Sequence, residues 1–143
     1  MVEIDRWLSQ LEEKGGRITG PRRAIVELLA TSDRALSPIE IFDLARISYP
    51  KMGLVTVYRT LELLEELHLI ERVHQESGCH MFLRAACGHQ HIVLCMKCGR
   101  AVYFNGEDLS QLFQRISRES GFVIESHWLQ LQGLCKSCQT KRG

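Results

Sequence analysis

This sequence has no long apolar run, few prolines and almost no net charge. It has no run of about 18 apolar residues, which excludes an ordinary membrane-spanning helix, and only three prolines among 143 residues. The formal net charge of +1 favours neither nucleic acid nor another charged partner. Because 45% of the chain is hydrophobic, it can bury a core. Its charged, amphipathic beginning predicts a folded cytoplasmic protein rather than an exported one.

The signature of a catalytic zinc site is also absent. Zinc deaminases carry HxE followed by PCxxC, which supplies three metal ligands and a glutamate beside an activated water. Both CxxC pairs of this chain follow a leucine and not a proline. The sequence therefore does not predict an enzyme of that class.

The first 84 residues carry the pattern of four helices and a hairpin. Apolar spacing predicts helices over residues 4–11 and 56–67. Between them, one helix begins after Thr19 and another at the capping box Ser37-Pro38-Ile39-Glu40. Two strands follow at 69–74 and 79–83. Helices followed by a two-stranded hairpin are typical of a winged helix-turn-helix, which we predict as a DNA-binding domain over residues 1–84.

The remaining residues, 85–143, predict a small α/β domain. Strand-like patterns cover residues 92–95, 101–104 and 122–131, and an amphipathic helix lies between the last two, with Gly121 past its end. A unit of about 60 residues is marginal on its own, so we expect a metal and a dimer partner to complete it. The fold class is therefore α+β.

The six cysteines are the residues most able to carry chemistry. In a reducing cytosol, metal binding or thiol reactivity is a better interpretation than disulfides. Cys95 with Cys98 and Cys135 with Cys138 form two CxxC pairs, each after a predicted strand. Four thiolates are the usual ligands of structural Zn²⁺, and their closed set leaves no position for a reactive water. We expect zinc here to stabilise the domain, the alternative being a redox pair.

A second group of potential ligands lies where the two predicted domains meet. Its members, all within thirteen residues, are Cys79, His80, Cys87, His89 and His91. Thiolate and imidazole ligands suit zinc, whereas an iron sensor more often uses imidazole and carboxylate. The group predicts a second divalent-metal site. His127 is either a further ligand or a histidine of the core.

The fourth predicted helix offers a surface for double-stranded DNA. Its acidic residues all lie beyond the first turn, so a phosphate-lined groove would admit only its N-terminal end. Arginine can bind guanine or phosphate, and tyrosine can contact phosphate or a thymine methyl group. A solvated helix in a protein-binding winged domain would have the same overall charge. The candidate DNA-binding residues are Thr56, Tyr58, Arg59, Arg17 and Arg22.

Taken in order, these motifs resemble the ferric uptake regulator family over nearly the whole chain. The matching residues are Arg17-Ile18-Thr19, Pro21-Arg22, Thr56-Val57-Tyr58-Arg59, His89, His91, Cys95-x-x-Cys98-Gly99, His127 and Gly133-Leu134-Cys135-x-x-Cys138. The resemblance implies a winged helix, a C-terminal dimerisation domain, a structural zinc on four cysteines and a sensor metal at the hinge. It also implies that Tyr58 and Arg59 contact DNA, with Arg17 near the minor groove.

Within the family, the pair Cys79-His80 and the position of Cys87 resemble the zinc uptake regulator branch. In that branch the hinge site takes an acid or histidine from the first wing strand, a position that Glu71 matches. The resemblance implies a homodimeric, zinc-sensing repressor that binds inverted-repeat operators of metal-uptake genes. Two residues depart from the family pattern. Tyr103 stands where many members carry a carboxylate, and Ser110 where a secondary site often has glutamate.

The residues alone leave three alternatives open. An iron or peroxide regulator of the same fold predicts a sensor site rich in oxygen ligands. A thiol redox switch would use Cys79 and Cys87. A zinc-ribbon enzyme would need an open position on its metal. Whether His89, His91 or both bind metal is also left open.

Overall fold

The computed structural model describes residues 2–74, 78–88, 90–106 and 109–140. This part of the chain forms six helices and five strands. In chain order they are α1 (Val2–Glu13), α2 (Gly20–Thr31), α3 (Pro38–Ser48), α4 (Leu54–Glu66), β1 (Ile70–His74), β2 (His80–Arg84), β3 (Gln90–Cys95), β4 (Ala101–Asn105), α5 (Ser110–Ser120), β5 (Gln130–Gly133) and α6 (Lys136–Thr140).

Local sequence signals account for the starts of α2 and α3. The Thr19 hydroxyl accepts a hydrogen bond from the Arg22 N–H at 3.4 Å, with a proline in the first turn of α2. The Glu40 N–H donates to the Ser37 hydroxyl at 3.2 Å, and the Ser37 N–H donates to the Glu40 carboxylate at 2.8 Å. Both predicted helix starts, including the capping box, are confirmed.

The C-terminal end of α4 turns sharply at His68. Its φ of 55° lies in the left-handed region, which favours glycine or asparagine. Two backbone hydrogen bonds of 2.9 Å close the turn, from His68 N–H to the Glu65 carbonyl and from Leu69 N–H to the Leu64 carbonyl. This turn directs the chain from α4 into β1.

Helices α1 to α4 pack around one hydrophobic core. Its most deeply buried side chains are Trp7, Leu11, Ile25, Leu29, Ile41, Val57, Leu61 and Leu64. The antiparallel strands β1 and β2 complete this part of the molecule, with Val73 opposite Met81. Because a helix-turn-helix pair, α3 and α4, leads into a two-stranded wing, the predicted winged helix is confirmed.

A second sheet has the strand order β4-β3-β5. Strand β3 runs antiparallel to β4 and parallel to β5, and α5 lies in the connection between β4 and β5. Gly121 ends α5 in the left-handed conformation at φ 77°, at the position that the sequence predicted. The α+β class, with a small α/β unit after the winged helix, is confirmed.

A second hydrophobic core lies between the wing and this sheet. Its buried side chains are Ala35, Val73, Met81, Leu83, Ile92, Leu94 and Ala101. Ile92 and Leu94 are two positions apart on β3, so they lie on the same face of the sheet. The second core thus takes side chains from both sides of the predicted division at residue 84.

The strand predicted over residues 122–131 is wrong for most of its length. Residues 121–129 form no strand, and β5 begins only at Gln130. In the pairing register, Gln130 lies opposite Ile92 and β3 begins at Gln90, so a residue before 128 would have no opposite residue on β3. The apolar pattern of this segment therefore does not reflect pairing within the chain. Phe122 and Val123 are 73% and 87% exposed.

The short helix α6 was not predicted from the sequence. It follows Cys135 and contains Cys138. Among the described residues, no helix has the length and apolar character needed to span a membrane.

Candidate metal sites and nucleic-acid interface

Four cysteine side chains converge where β3, β5 and α6 meet. Cys95 ends β3, Cys98 lies in the turn before β4, Cys135 lies just before α6 and Cys138 lies within it. Their four sulfur atoms all lie within 4.8 Å of one another. Cys95 and Cys138 are buried. The structure therefore brings together the four residues that the two CxxC pairs predicted.

The spacing of these sulfur atoms fits a tetrahedral zinc ion. With zinc–sulfur bonds of about 2.3 Å, the edge of the tetrahedron is about 3.8 Å. The Cys98 and Cys135 sulfurs are 3.7 Å apart, much farther than the roughly 2.05 Å of a disulfide. All six cysteines are free. The four thiols can thus form a closed set of ligands for Zn²⁺.

Backbone amides prepare two of these thiols for metal binding. Burial raises the pKa of the Cys95 thiol, but N–H groups of Cys135, Cys98 and Lys97 outweigh burial and lower this pKa to about 6. The N–H of Cys138 lowers the pKa of Cys135. The adjacent Cys135 sulfur, by contrast, raises the pKa of Cys138 to about 12. Four thiolates this close together need a cation to balance their charge.

A polar cavity of about 180 Å³ lies between the wing and the second sheet. It is lined by Glu71 of β1, His91 of β3 and His127 of the segment before β5. The centroids of the two imidazole rings are 5.5 Å apart. His91 is buried, whereas His127 is exposed, so His127 is not a histidine of the core. The cavity joins two parts of the chain through residues that can hold a cation.

The Glu71 carboxylate in this cavity is partly withdrawn from water. Burial raises the pKa of Glu71, and a hydrogen bond of 3.3 Å from the Ala86 N–H partly offsets this rise. The charged form of a buried carboxylate is stabilised by a nearby cation. Glu71 is therefore suited to bind a metal and costly to leave ionised without one.

Neither predicted sulfur ligand is in the described lining of this cavity. Cys87 lines a neighbouring space of about 40 Å³, together with Trp7 of α1 and Arg84 of β2. Cys79 is exposed just before β2. His89 lies outside the described residues. Over the described ranges, only the four-cysteine cluster brings three or more potential ligands close together.

Tyr103 and Arg84 form a contact that the sequence does not predict. The Tyr103 hydroxyl donates a hydrogen bond to the Arg84 carbonyl, and the Arg84 guanidinium lies 5.0 Å from the ring centre. Arg84 also pairs with Glu3 of α1 at 3.1 Å. Burial raises the pKa of Tyr103, although Arg84 opposes the shift. The phenol thus remains a hydrogen-bond donor at neutral pH and joins β4 to the wing.

The N-terminal end of α4 is exposed, as an interface with DNA requires. Tyr58 is 47% exposed, Arg59 is also exposed, and Thr56 is partly exposed beside them. Gly53 precedes the helix without a side chain to cap it, so the first N–H groups of α4 can donate to phosphate. The buried Val57 on the opposite face fixes the helix to the core.

Arg22 and Arg17 are connected before α2. The Arg22 guanidinium donates a hydrogen bond of 2.9 Å to the Arg17 carbonyl. Arg22 is partly buried and Arg17 is exposed. Arg22 therefore fixes the loop that carries Arg17, a positioning role that its sequence motif did not reveal.

Apolar side chains are exposed around α5. This helix has no buried residue, and its Leu112 and Ile116 are 40% and 39% exposed. Beyond it, Phe122, Val123, Trp128 and Leu131 are also exposed. Grouped apolar side chains at a protein surface are typical of an interface with another protein.

Comparison with known proteins gives matches over nearly the whole chain. Residues 13–132 match the model of the ferric uptake regulator family. The ferric uptake regulation protein of Bacillus subtilis is 36% identical over 143 residues, covering 96% of this chain and 95% of that protein. The protein of the same name from Neisseria meningitidis is 32% identical over 136 residues, covering 94% of each. The peroxide operon regulator of B. subtilis is 30% identical, covering 97% and 95%.

Solved structures share the fold. The ferric uptake regulator of Helicobacter pylori has a TM-score of 0.73 at 23% identity, covering 96% of this chain and 92% of that one. A zinc uptake regulator in complex with zinc and DNA has a TM-score of 0.67 at 20% identity, covering 96% and 93%. At these identities the likeness establishes the fold alone.

Proposed function

Because the chain belongs to the ferric uptake regulator family, we propose that it is a cytoplasmic repressor that binds an inverted-repeat operator as a homodimer when zinc occupies its sensor site. Membership of this family makes the chain a metal-responsive regulator of transcription and not an enzyme. The observation that carries the proposal is the polar cavity between the wing and the second sheet, which Glu71, His91 and His127 line together.

DNA binding is assigned to the N-terminal end of α4. Tyr58 and Arg59 project from that end, and the preceding Gly53 leaves the first amides of the helix able to meet phosphate. The acidic residues lie farther along α4, and Glu65 among them pairs with Arg72 at 2.8 Å. Arg17, held by Arg22, adds a positive charge beside the second helix. These positions suit insertion of one helix end into a major groove.

Metal response is assigned to the cavity because its residues come from both parts of the molecule. Glu71 belongs to the wing, and His91 belongs to the second sheet. With a cation between them, these side chains hold the wing against the sheet and favour one orientation of α4. The gain in DNA affinity is limited by the preference of the metal for that orientation.

Zinc is proposed as the sensed metal because the Cys87 thiol borders the cavity. Ala86 and Gly88, on either side of Cys87, both line it. Cys79, just before the second wing strand, is a further candidate ligand by its place in the sequence. A thiolate combined with imidazoles favours zinc over iron. By its place in the sequence, His89 is a further candidate ligand.

The four-cysteine cluster is proposed to hold a structural zinc. Cys95, Cys98, Cys135 and Cys138 would be its ligands, and the bound ion would supply folding energy and charge balance, with no reactive water. We further propose that residues 1–84 form the DNA-binding domain and residues 85–143 the dimerisation domain.

Regulators of this family bind DNA and are dimers. For this chain, the exposed apolar side chains of α5 and of the segment after it support a homodimer through that surface. Two copies related by a twofold axis would place two α4 helices on the two halves of an inverted repeat.

The test is DNA binding titrated with free metal. A duplex selected from a random-sequence pool by the zinc-loaded protein serves as the probe, and Zn²⁺, Fe²⁺ and Mn²⁺ are compared without oxygen. Zinc should raise affinity by about 5- to 150-fold, a usual size for coupled sites. Cys87→Ser and His89→Ala should keep the dimer and one zinc per chain but lose this gain. A response in both variants equal to that of the parent would contradict the sensor assignment.

Iron, manganese or peroxide sensing is the second candidate. The described lining of the cavity favours this candidate. Its potential metal ligands are one carboxylate and two imidazoles, and it contains no sulfur ligand. Relatives at 30–36% identity are named for ferric uptake regulation and a peroxide operon. In the titration above, a gain with Fe²⁺ or Mn²⁺ and none with Zn²⁺ would select this candidate.

A further inference from the structure

The segment between α2 and α3 is hydrogen-bonded on both of its sides. On one side, Leu36 and Phe82 of the wing exchange backbone hydrogen bonds of 2.9 and 2.8 Å. On the other, the Ala35 N–H donates to the Gly99 carbonyl at 2.8 Å, and the Ala101 N–H donates to the Asp33 carbonyl at 2.9 Å. Residues 33–36 therefore link the wing to the turn between β3 and β4.

Close packing supports this link. Ala35 is fully buried in the second core. Gly99 has φ 77°, and a Cβ atom there would lie 3.1 Å from the Ala35 carbonyl oxygen. Only glycine meets both the backbone conformation and the close approach without strain.

The turn that contains Gly99 is the one that carries the first CxxC pair. The Gly99 N–H donates to the Cys95 carbonyl at 3.0 Å, and the Cys95 N–H donates to the Arg100 carbonyl at 2.8 Å. Whatever fixes the Cys95 and Cys98 sulfurs therefore also fixes the Gly99 carbonyl that Ala35 binds.

We propose that residues 33–36 transmit the state of the four-cysteine cluster to the DNA-binding helix. This inference rests on the proposed function, in which the cluster holds zinc and α4 binds DNA. The linking segment runs directly from α2 into α3, and both helices pack against α4. A disordered cysteine turn would release Ala35 and Asp33 and free α2, α3 and α4 to change orientation together. The cluster, although it lies in the second sheet, would then control DNA binding.

Amide hydrogen exchange of the full chain tests the link directly. Zinc is removed from the cluster by a strong chelator, and the exchange rates of neighbouring amides are compared before and after removal. Ala35 and Ala101 donate across the link, so their exchange should accelerate by about tenfold or more. Leu36 and Phe82 bond to each other within the winged helix, so they are the matched control and should stay protected. Unchanged exchange at Ala35, or equal acceleration at Ala35 and Leu36, would overturn the proposal.

A variant tests whether the link affects DNA binding while zinc is still bound. Gly99→Ala should weaken binding to the selected duplex by about tenfold, within the usual range of coupling between sites, at unchanged zinc content. Gly121→Ala is the control, because Gly121 has the same φ of 77° but nothing within 4 Å of an added Cβ. Equal affinity of the two variants would overturn the proposal.

Two results separate this inference from the proposed function. A parent protein that binds zinc and DNA but shows no release of Ala35 overturns the link alone. A parent protein whose DNA affinity does not depend on any metal overturns the proposed function. If Gly99→Ala does not retain zinc, the amide hydrogen exchange of Ala35 in the parent protein decides whether the link exists.

Discussion

The Tyr103 hydroxyl donates a hydrogen bond to the main-chain carbonyl of Arg84, while the Arg84 guanidinium lies over the face of the same tyrosine ring. One residue pair thus joins the last residue of the wing to β4 through two different contacts. Arg84 also forms an ion pair with Glu3, which extends the connection from β4 to α1. Tyr103 thus joins the two halves of the chain.

Tyr103→Phe should separate these two contacts. Phenylalanine keeps the aromatic ring under the Arg84 guanidinium but removes the hydroxyl that donates to the part-buried Arg84 carbonyl. The free energy of unfolding should therefore fall by about 0.5 to 1.5 kcal/mol. Urea denaturation followed by circular dichroism measures this change. Tyr58→Phe, at an exposed tyrosine of α4, is the control and should leave the midpoint unchanged. Equal midpoints for both variants would show that the Tyr103 hydrogen bond contributes nothing.

Cys95→Ser should remove the structural zinc proposed for the four-cysteine cluster. Serine cannot replace a thiolate in a closed set of four, so the variant should lose its tightly held ion and its dimer. Metal analysis after mild chelation, combined with analytical ultracentrifugation, measures both. Cys79→Ser is matched in chemistry and lies outside the cluster, so it should retain zinc and dimer. A folded, dimeric Cys95→Ser protein would contradict the structural role.

Arg59→Ala should weaken DNA binding without changing metal content. If Arg59 contacts a base, the loss should be about 1 to 3 kcal/mol and confined to the selected duplex. If it binds phosphate, the affinity for all DNA sequences should fall alike. The slope of log affinity against log salt concentration should then decrease in magnitude by about one. Fluorescence anisotropy at several salt concentrations distinguishes the two. Arg118→Ala, on α5, is the control. Unchanged affinity in Arg59→Ala at every salt concentration would mean that α4 is not the DNA-binding helix.

Glu71→Gln should stabilise the metal-free protein at neutral pH. Burial raises the pKa of Glu71 above its value in the unfolded chain, so its contribution to stability is full at low pH and is lost as the pH rises through the raised pKa. Glutamine carries no charge and avoids this loss. Denaturation of both proteins in chelator at pH 4 and pH 7 should show a gain only at pH 7. The same variant should lose its metal-dependent gain in DNA affinity. A less stable variant at pH 7 would contradict this account of Glu71.

His68→Gly should raise stability. A non-glycine residue in the left-handed conformation is strained by about 1 kcal/mol, and His68 has φ 55°. Glycine removes that strain at the end of α4, where the two turn-closing hydrogen bonds involve only backbone atoms. Thermal unfolding measures the gain, with His68→Ala as the control because it keeps the strain. A lower melting temperature for His68→Gly than for His68→Ala would show that the side chain matters more than the backbone.

The parts of the fold that local sequence determines were predictable. The Ser37 and Glu40 capping box lies within one turn, so the start of α3 depends on no distant residue. The two CxxC pairs predicted the cluster because chelation of one ion requires such spacing. By contrast, residues 122–129 have a strand-like pattern, but strand formation depends on whether β3 extends far enough to pair with them.

The least predictable parts of the site depend on contacts between distant residues. Ala35 has an unremarkable side chain, and its importance arises from a backbone hydrogen bond to Gly99, 64 positions later in the sequence. Tyr103 departs from a family pattern, which signalled a changed role without indicating Arg84 as its partner. The division of potential sensor ligands between two cavities likewise follows from tertiary packing.

The distance along the chain between the two CxxC pairs affects the order in which the protein can mature. Cys98 and Cys135 are 37 positions apart, and β4, α5 and β5 all lie between them. Because the second pair follows β5 in the chain, the four-ligand set cannot close until β5 has been synthesised. Placing β5 beside β3 also offsets the entropy, about 4 kcal/mol, that closing such a loop costs in an unfolded chain. On the proposed function, a newly made chain captures its structural zinc only when the exposed apolar surface around α5 is already complete. Zinc supply then acts at two times in the life of the molecule: it limits how many chains mature, and later it governs what the mature chains bind.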